Sequence, residues 1–264
     1  QVFELDSTFK FEPVTKRYNV FDPLVSPFPN GLLLLNFVGN VFNNELKEAG
    51  SFLINTKGEI AETFKSKDGL GFDYRQENNL ITPDNKLLVP NYSSYPSFKL
   101  VRLFQNGSVD STFKIIASKD HIYKVFLLQN ENLLVFFAGE NTYYYYIFDK
   151  NGSFIKVLDL TKYGFMPDER LTNLVFNDFN DYFLLVSDSS NGNGEIIKTN
   201  QDFEIDKNFP KIKYSYEDSP TNKLEKDKNG FFLLKADDKN KIEKYDRNGV
   251  KIWESKYDDV SMYG

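Results

Sequence analysis

Short turn dipeptides recur along this chain at a nearly constant spacing, and each one separates two apolar runs. Lys57-Gly58, Asn106-Gly107, Asn151-Gly152 and Asn248-Gly249 form one series, at intervals of 49, 45 and then 97 residues, the last close to two units. The absent member falls at Gln201-Asp202, between Ile196-Ile197-Lys198 and Glu204-Ile205-Asp206. Asn-Gly is a strong two-residue hairpin signal, because both central positions of a type I′ turn need positive φ. A second series comprises Asn30-Gly31, Asp84-Asn85, Glu131-Asn132, Asn180-Asp181 and Asn229-Gly230. Each of these precedes an almost unbroken apolar run: Leu32–Val38, Lys86–Val89, Leu133–Phe137, Tyr182–Val186 and Phe231–Leu234. Continuous apolar runs fit strands covered on both faces.

Two hairpins per unit make four strands. In the third unit the expected strands are Ile122–Leu128, Leu133–Phe137, Tyr143–Phe148 and Phe154–Leu158. A small sheet with both faces apolar needs a neighbour on each side, and radial repetition of such sheets is the β-propeller. The expectation is a single all-β domain over 1–264, a β-propeller of four-stranded blades, five in number with six as the alternative. The units are 17–66, 67–115, 116–159, 160–211 and 212–255, with 1–16 as an extra edge strand. Tyr143-Tyr144-Tyr145-Tyr146 reads as core wedge, since alternate rings on a strand point to opposite faces.

The fourth strand carries an echo of its own: Leu5-Asp6-Ser7-Thr8-Phe9, Ala61-Glu62-Thr63-Phe64, Val109-Asp110-Ser111-Thr112-Phe113 and Ile205-Asp206-Lys207-Asn208-Phe209. The aromatic is expected to turn inward between sheets. The acid is expected to face solvent or tie the preceding turn. The run from Val101-Arg102-Leu103-Phe104-Gln105-Asn106-Gly107-Ser108 through Phe113 resembles the delta-60 repeat, whose pattern is roughly R-L-N-x-D-G-S-L-D-x-x-F. The match is partial at Phe52–Phe64 and Leu5–Phe9 and degenerate elsewhere. The resemblance implies a bacterial β-propeller and carries no active site with it.

Composition removes several chemistries. The chain has no cysteine, which excludes disulfides, thiol nucleophiles and iron–sulfur ligation. Its single histidine, His121, lies in Ser118-Lys119-Asp120-His121 and reads as a surface residue with no nucleophile beside it. With 38 acids, 32 bases and no dense basic run, the chain lacks the concentrated positive face that nucleic-acid binding requires. Its longest aliphatic block, Leu32–Leu35, is too short to span a bilayer, so no transmembrane segment is expected. A start at Gln1 rather than methionine reads as a processed, secreted bacterial protein, periplasmic or extracellular. No cofactor or metal is expected. Asp188–Glu195 has oxygen ligands but lacks the aspartates of a calcium loop, and reads as a flexible turn.

Function is expected in the long connections at the end of the blades opposite the tight turns, where binding residues usually sit. These are 39–51, 65–76, 90–97, 159–170, 187–195 and 210–220. The candidate binding residues are Phe42, Phe72, Tyr74, Arg75, Tyr92, Tyr95, Tyr163, Phe165, Arg170, Tyr214 and Tyr216. Tyr and Arg dominate recognition hot spots. The expectation is a non-catalytic protein-binding propeller of the cell envelope, docking an outer-membrane or surface protein. A carbohydrate-binding propeller is one alternative, since tyrosine faces stack on sugars. A glycoside-active enzyme is the other. It would need two of Asp73, Asp168, Glu169 and Glu217 to converge at a set separation.

Overall fold

The computed structural model describes residues 24–37, 41–42, 45–46, 50–57, 59–64, 80–91, 98–113, 115–117, 121–138, 143–163, 169–188, 193–215, 223–235 and 241–256. These are almost wholly strand and turn, with one 3-10 turn at Leu160–Tyr163. The chain divides into two compact units: 1–127 with 131–137 and 147–155, and 128–130 with 138–146 and 156–264.

Five small antiparallel sheets follow one another along the chain. The first joins β1 (Leu24–Pro27), β2 (Leu33–Phe37), β5 (Gly50–Ile54) and β6 (Ile60–Phe64), and a separate hairpin of β3 (Val41–Phe42) and β4 (Glu45–Leu46) lies between β2 and β5. The second joins β7 (Leu80–Ile81), β8 (Leu87–Asn91), β9 (Phe98–Leu103) and β10 (Ile115–Ala117). The third joins β11 (His121–Leu127), β12 (Leu133–Ala138), β13 (Tyr143–Phe148) and β14 (Phe154–Leu158). The fourth joins β15 (Glu169–Phe176), β16 (Tyr182–Asp188), β17 (Asn193–Thr199) and β18 (Ile212–Ser215). The fifth joins β19 (Lys223–Asp227), β20 (Gly230–Lys235), β21 (Lys241–Asp246) and β22 (Lys251–Lys256). This is the all-β, five-blade pattern of a β-propeller chain.

The blades are less uniform than the repeat suggests. In the second and fourth sheets the outer strand is broken. A single bridge follows the turn (Leu103 to Val109, Thr199 to Ile205), and the chain turns again before β10 and β18. In the first and fifth sheets the register slips beside Ile54 and Tyr245, and one residue bulges out of the outer strand. Breaks and bulges of this kind blunt a sheet edge against pairing with another chain.

The second strands are buried on both faces, as their apolar runs require. In the first unit, Phe28, Leu34 and Leu53 of the first sheet pack on Leu87, Val89 and Leu103 of the second. In the second unit, Phe183, Leu185, Ile196 and Tyr214 pack on Leu224, Phe231, Leu233 and Tyr245. Phe183 and Phe231 meet with ring centroids 4.6 Å apart. Each such side chain contributes about 1.5–3 kcal/mol on burial, so a blade holds its shape only against its neighbour. The tyrosine run divides as a strand dictates in part: Tyr145 is buried and Tyr144 exposed, with Tyr143 and Tyr146 half-buried.

The tight turns correct the two-residue type I′ expectation. Eight of the described turns have one left-handed residue, not two: Gly31, Asn85, Gly107, Glu131, Gly152, Asn180, Phe203 and Gly249; at Asn229-Gly230 none is left-handed and Asp227 pairs directly with Gly230. In the Asn106-Gly107 turn, Gly107 N–H donates to the Phe104 carbonyl at 2.8 Å and Phe104 N–H to the Ser108 carbonyl at 2.8 Å. The same pair of bonds recurs at Phe28, Thr82, Asp149, Asn177, Asn200 and Asp246. This is a three-residue loop, a type I turn closed by a left-handed residue. Asn-Gly serves it because only the glycine need take positive φ. At Gln201-Asp202 the turn forms in the same way, with Phe203 in the glycine's place.

Candidate functional site

The tight-turn end of the sheets is the one whose loops are almost fully described. At the tight-turn end, most of the described loops are capped by a side chain of their own. Asp149 Oδ1 accepts from the amides of Asn151 and Ser153, both at 2.8 Å. Asp246, Asn200, Asn55 and Asn177 do the same in their turns. Where the first turn residue is phenylalanine, the asparagine two places on takes over: Asn30 Oδ1 accepts from Leu32 N–H and Asn106 Oδ1 from Ser108 N–H. Side-chain capping of this type satisfies amides that the ladder leaves open.

Neighbouring turns are also tied together. Asn30 N–H donates to Asn85 Oδ1 and its side-chain amide to Gln105 Oε1. The Tyr182 hydroxyl accepts from Gln129 N–H at 3.2 Å. Lys226 pairs with Asp178 at 2.9 Å, and Arg247 pairs with Asp181 at 3.2 Å while lying over the Phe179 ring.

The acid of the fourth-strand echo belongs to this rim. Asp110 is 2% exposed. Its backbone N–H donates to the Arg102 carbonyl, and its carboxylate takes Arg102, Lys86 and both the amide and hydroxyl of Thr112. Arg102 also donates to the Lys150 carbonyl and covers the buried Phe113 ring at 4.8 Å. The fourth sheet repeats the arrangement with lysine: Lys198 pairs with Asp206 at 3.3 Å, and Asp206 N–H donates to the Lys198 carbonyl. So the acid ties the turn, and at Asp110 it is buried rather than facing solvent. The base eight residues upstream is the readable signal, present as Arg102 in the repeat motif and as Lys198 two units later.

Electrostatics agree with a structural role. Burial pushes the Asp110 carboxyl up, but hydrogen bonds from Thr112 and the Arg102 guanidinium outweigh it and hold the group at about 2. Glu243, 4% exposed, is likewise raised by burial, then lowered further by hydrogen bonds from Lys235 and Tyr245 and the charge of Lys251. Its partner Tyr245 is pushed up by burial and by that carboxylate. Asp84 and Asp227 also lie below their usual range, burial again opposed by hydrogen bonds, from Thr82 and Lys86 to the first and from Lys244 to the second. A general acid working near neutral pH needs a shift in the opposite direction.

At the other end lie the connections. Phe42 sits in β3, paired with Glu45 across the extra hairpin between β2 and β5. Tyr163 ends the 3-10 turn. Arg170 is the second residue of β15, opposite Ser187, with Glu169 opposite Asp188, so both belong to a strand end and not a loop. Tyr214, placed in a long connection by its sequence context, lies on β18 instead. It is 5% exposed, its hydroxyl donates to the Val186 carbonyl at 3.1 Å, and its ring covers Gly194, where a Cβ would come within 1.9 Å. Strand alternation in Ile212-Lys213-Tyr214-Ser215 explains the inward direction. Phe72, Tyr74, Arg75, Tyr92, Tyr95, Phe165 and Tyr216 fall outside the described residues, as do Asp73, Asp168 and Glu217. His121 opens β11 and is exposed. Among the described residues no group of three or more acids or histidines is placed to hold a metal ion. None of their helices is long and apolar enough to cross a membrane.

No protein-family model and no curated protein matches this chain. Solved structures do. A protein of unknown function from Dyadobacter fermentans aligns over 88% of this chain and 74% of its own, at 10% identity and a TM-score of 0.51. Puromycin hydrolase aligns over 94% of this chain and 40% of its own, at 11% identity and a TM-score of 0.54. A variant of the hydrolase, S511A, complexed with PGG gives 12% identity and 0.55. At such identity the likeness is one of fold.

Proposed function

We propose that this chain is a non-catalytic binding propeller of the bacterial cell envelope that docks a partner protein through the long-connection ends of its blades. One observation carries the reading, the consumption of polar groups at the tight-turn end. At the tight-turn end, acids, amides and bases are consumed by capping and by ties between adjacent turns. Variation is left to the opposite end, where one connection folds out as the β3–β4 hairpin with Phe42 on it and Arg170 stands at a strand terminus. Loops on a rigid scaffold are where recognition usually evolves, and Arg and aromatic side chains are its common anchors. The resemblance of residues 101–113 to a bacterial repeat, and the fold shared with a bacterial protein of unknown function, support a bacterial propeller.

The test is cross-linking and pull-down from envelope extracts with wild type and with Phe42→Ala, Tyr163→Ala and Arg170→Ala combined. Loss of a specific partner in the triple variant is expected. Equal recovery by both would reject this surface.

A further inference from the structure

We propose that Asn151 is a site of spontaneous backbone modification, deamidating through a cyclic imide faster than any other asparagine in the described Asn-Gly turns. In this chemistry the backbone nitrogen of the following glycine attacks the asparagine Cγ. A C–N bond forms, the side-chain nitrogen leaves as ammonia, and water then opens the ring to aspartate or isoaspartate. Two things must be available: an untethered side-chain amide, and a glycine nitrogen that local opening of the turn can release.

Five Asn-Gly pairs lie in described turns, and the structure separates them. Asn30 is held at both ends of its amide, accepting from Leu32 N–H and donating to Gln105. Asn106 Oδ1 accepts from both the amide and the hydroxyl of Ser108, at 3.0 and 2.7 Å. Asn229 precedes Gly230, which is buried in β20 so tightly that a Cβ would lie 2.1 Å from the Tyr245 carbonyl oxygen. Asn248 precedes Gly249, also buried, against Phe209 and Pro210. Asn151 alone combines the two requirements. Asp149 does the capping in its turn, so the Asn151 side chain is exposed and makes no hydrogen bond among the described residues. Gly152 is only half-buried, and its N–H points at Asp149 alone, donating to the carbonyl at 3.0 Å and facing the carboxylate.

The cause is the choice of capping residue. An aspartate at the first turn position releases the asparagine two places later, while a phenylalanine there recruits it. Conversion at Asn151 adds a negative charge to an exposed turn, and the isoaspartate form adds a backbone atom where the loop geometry is tight. The event lies at the tight-turn end, so it is independent of the proposed docking surface.

The chain contains its own control. Asn106-Gly107-Ser108 and Asn151-Gly152-Ser153 are the same tripeptide, so in denaturant the two should react at similar rates. The folded and the denatured protein would be incubated at mildly alkaline pH, with peptide mapping by mass spectrometry at each time point. In the folded protein Asn151 should convert at least several-fold faster than Asn106, Asn30, Asn229 or Asn248, and Ser108→Ala should narrow the gap by raising the rate at Asn106. Equal folded-state rates at Asn106 and Asn151, a faster rate at Asn248, or an unmodified Asn151 after the denatured chain has reacted would each overturn the proposal.

Discussion

The Nε and Nη2 atoms of Arg102 both reach the same oxygen of Asp110, Oδ2, at 2.9 Å, with both side chains almost fully buried. The pair joins the third strand of the second blade to the segment after its turn, and the free Nη1 extends the link to the Lys150 carbonyl of the next. Removing one member leaves the other charged and dry. Asp110→Ala should cost about 3–5 kcal/mol, read as a fall in denaturation midpoint. Arg102→Lys should keep part of this, since lysine fills the role at Lys198. An Asp110→Ala variant as stable as wild type would show that the pair is dispensable.

The same carboxylate predicts acid lability. Its folded value of about 2 lies below the ordinary 3.8. A depressed carboxyl stabilises the fold fully above its unfolded value, and that contribution is lost as pH falls toward the folded value. Asp84, Asp227 and Glu243 shift the same way. Stability should therefore fall between about pH 4 and about pH 2, with Asp110 contributing about 2 kcal/mol. Denaturant midpoints measured across that range should drop less steeply in Asp110→Asn than in wild type.

Much of this fold is written in short-range signals. The unit length, the second strands and the turn positions follow from dipeptides and apolar runs, because burial on both faces leaves a continuous pattern that alternation would not. The turn class is not legible because Asn-Gly satisfies both hairpin types, and the three-residue loop closes alike whether Phe28 or Phe104, or a capping Asp149 or Asp246, opens it. The β3–β4 hairpin and the strand nature of Tyr214 were hidden for another reason. Both depend on a partner strand chosen by the tertiary fold, and four residues such as Ile212–Ser215 carry too little pattern to announce one. Most of the candidate binding residues lie in connections whose sequences follow no repeat, and period is the signal that located everything else.

Phe203 occupies a conformation that favours glycine, φ 66°, yet is 1% exposed and stacks on Tyr182 at a centroid distance of 5.2 Å. Ring burial offsets backbone strain of about 1–2 kcal/mol. Truncation should reverse the usual order of substitutions: Phe203→Gly loses the ring but sheds the strain, whereas Phe203→Ala loses the ring and keeps it. Both should be destabilised by a few kcal/mol, alanine more than glycine by about 1 kcal/mol. Thermal melts of the two variants decide it, and an alanine variant more stable than the glycine one would refute the strain argument.

Tyr214 separates packing from recognition. Its ring fills the space over Gly194 in the core shared by the fourth and fifth sheets, and its hydroxyl satisfies the Val186 carbonyl. Tyr214→Phe keeps the ring and leaves one buried carbonyl short of a donor, a loss of about 1 kcal/mol. Gly194→Ala brings a Cβ into the ring and should cost more, because the aromatic can retreat only by unpacking from Phe183, Ile196 and Leu224. If the residue is core alone, Tyr214→Phe lowers the melting temperature slightly and leaves partner capture at wild-type level, while the Phe42, Tyr163 and Arg170 substitutions do the reverse. Loss of capture at unchanged stability in Tyr214→Phe would return this side chain to the binding surface.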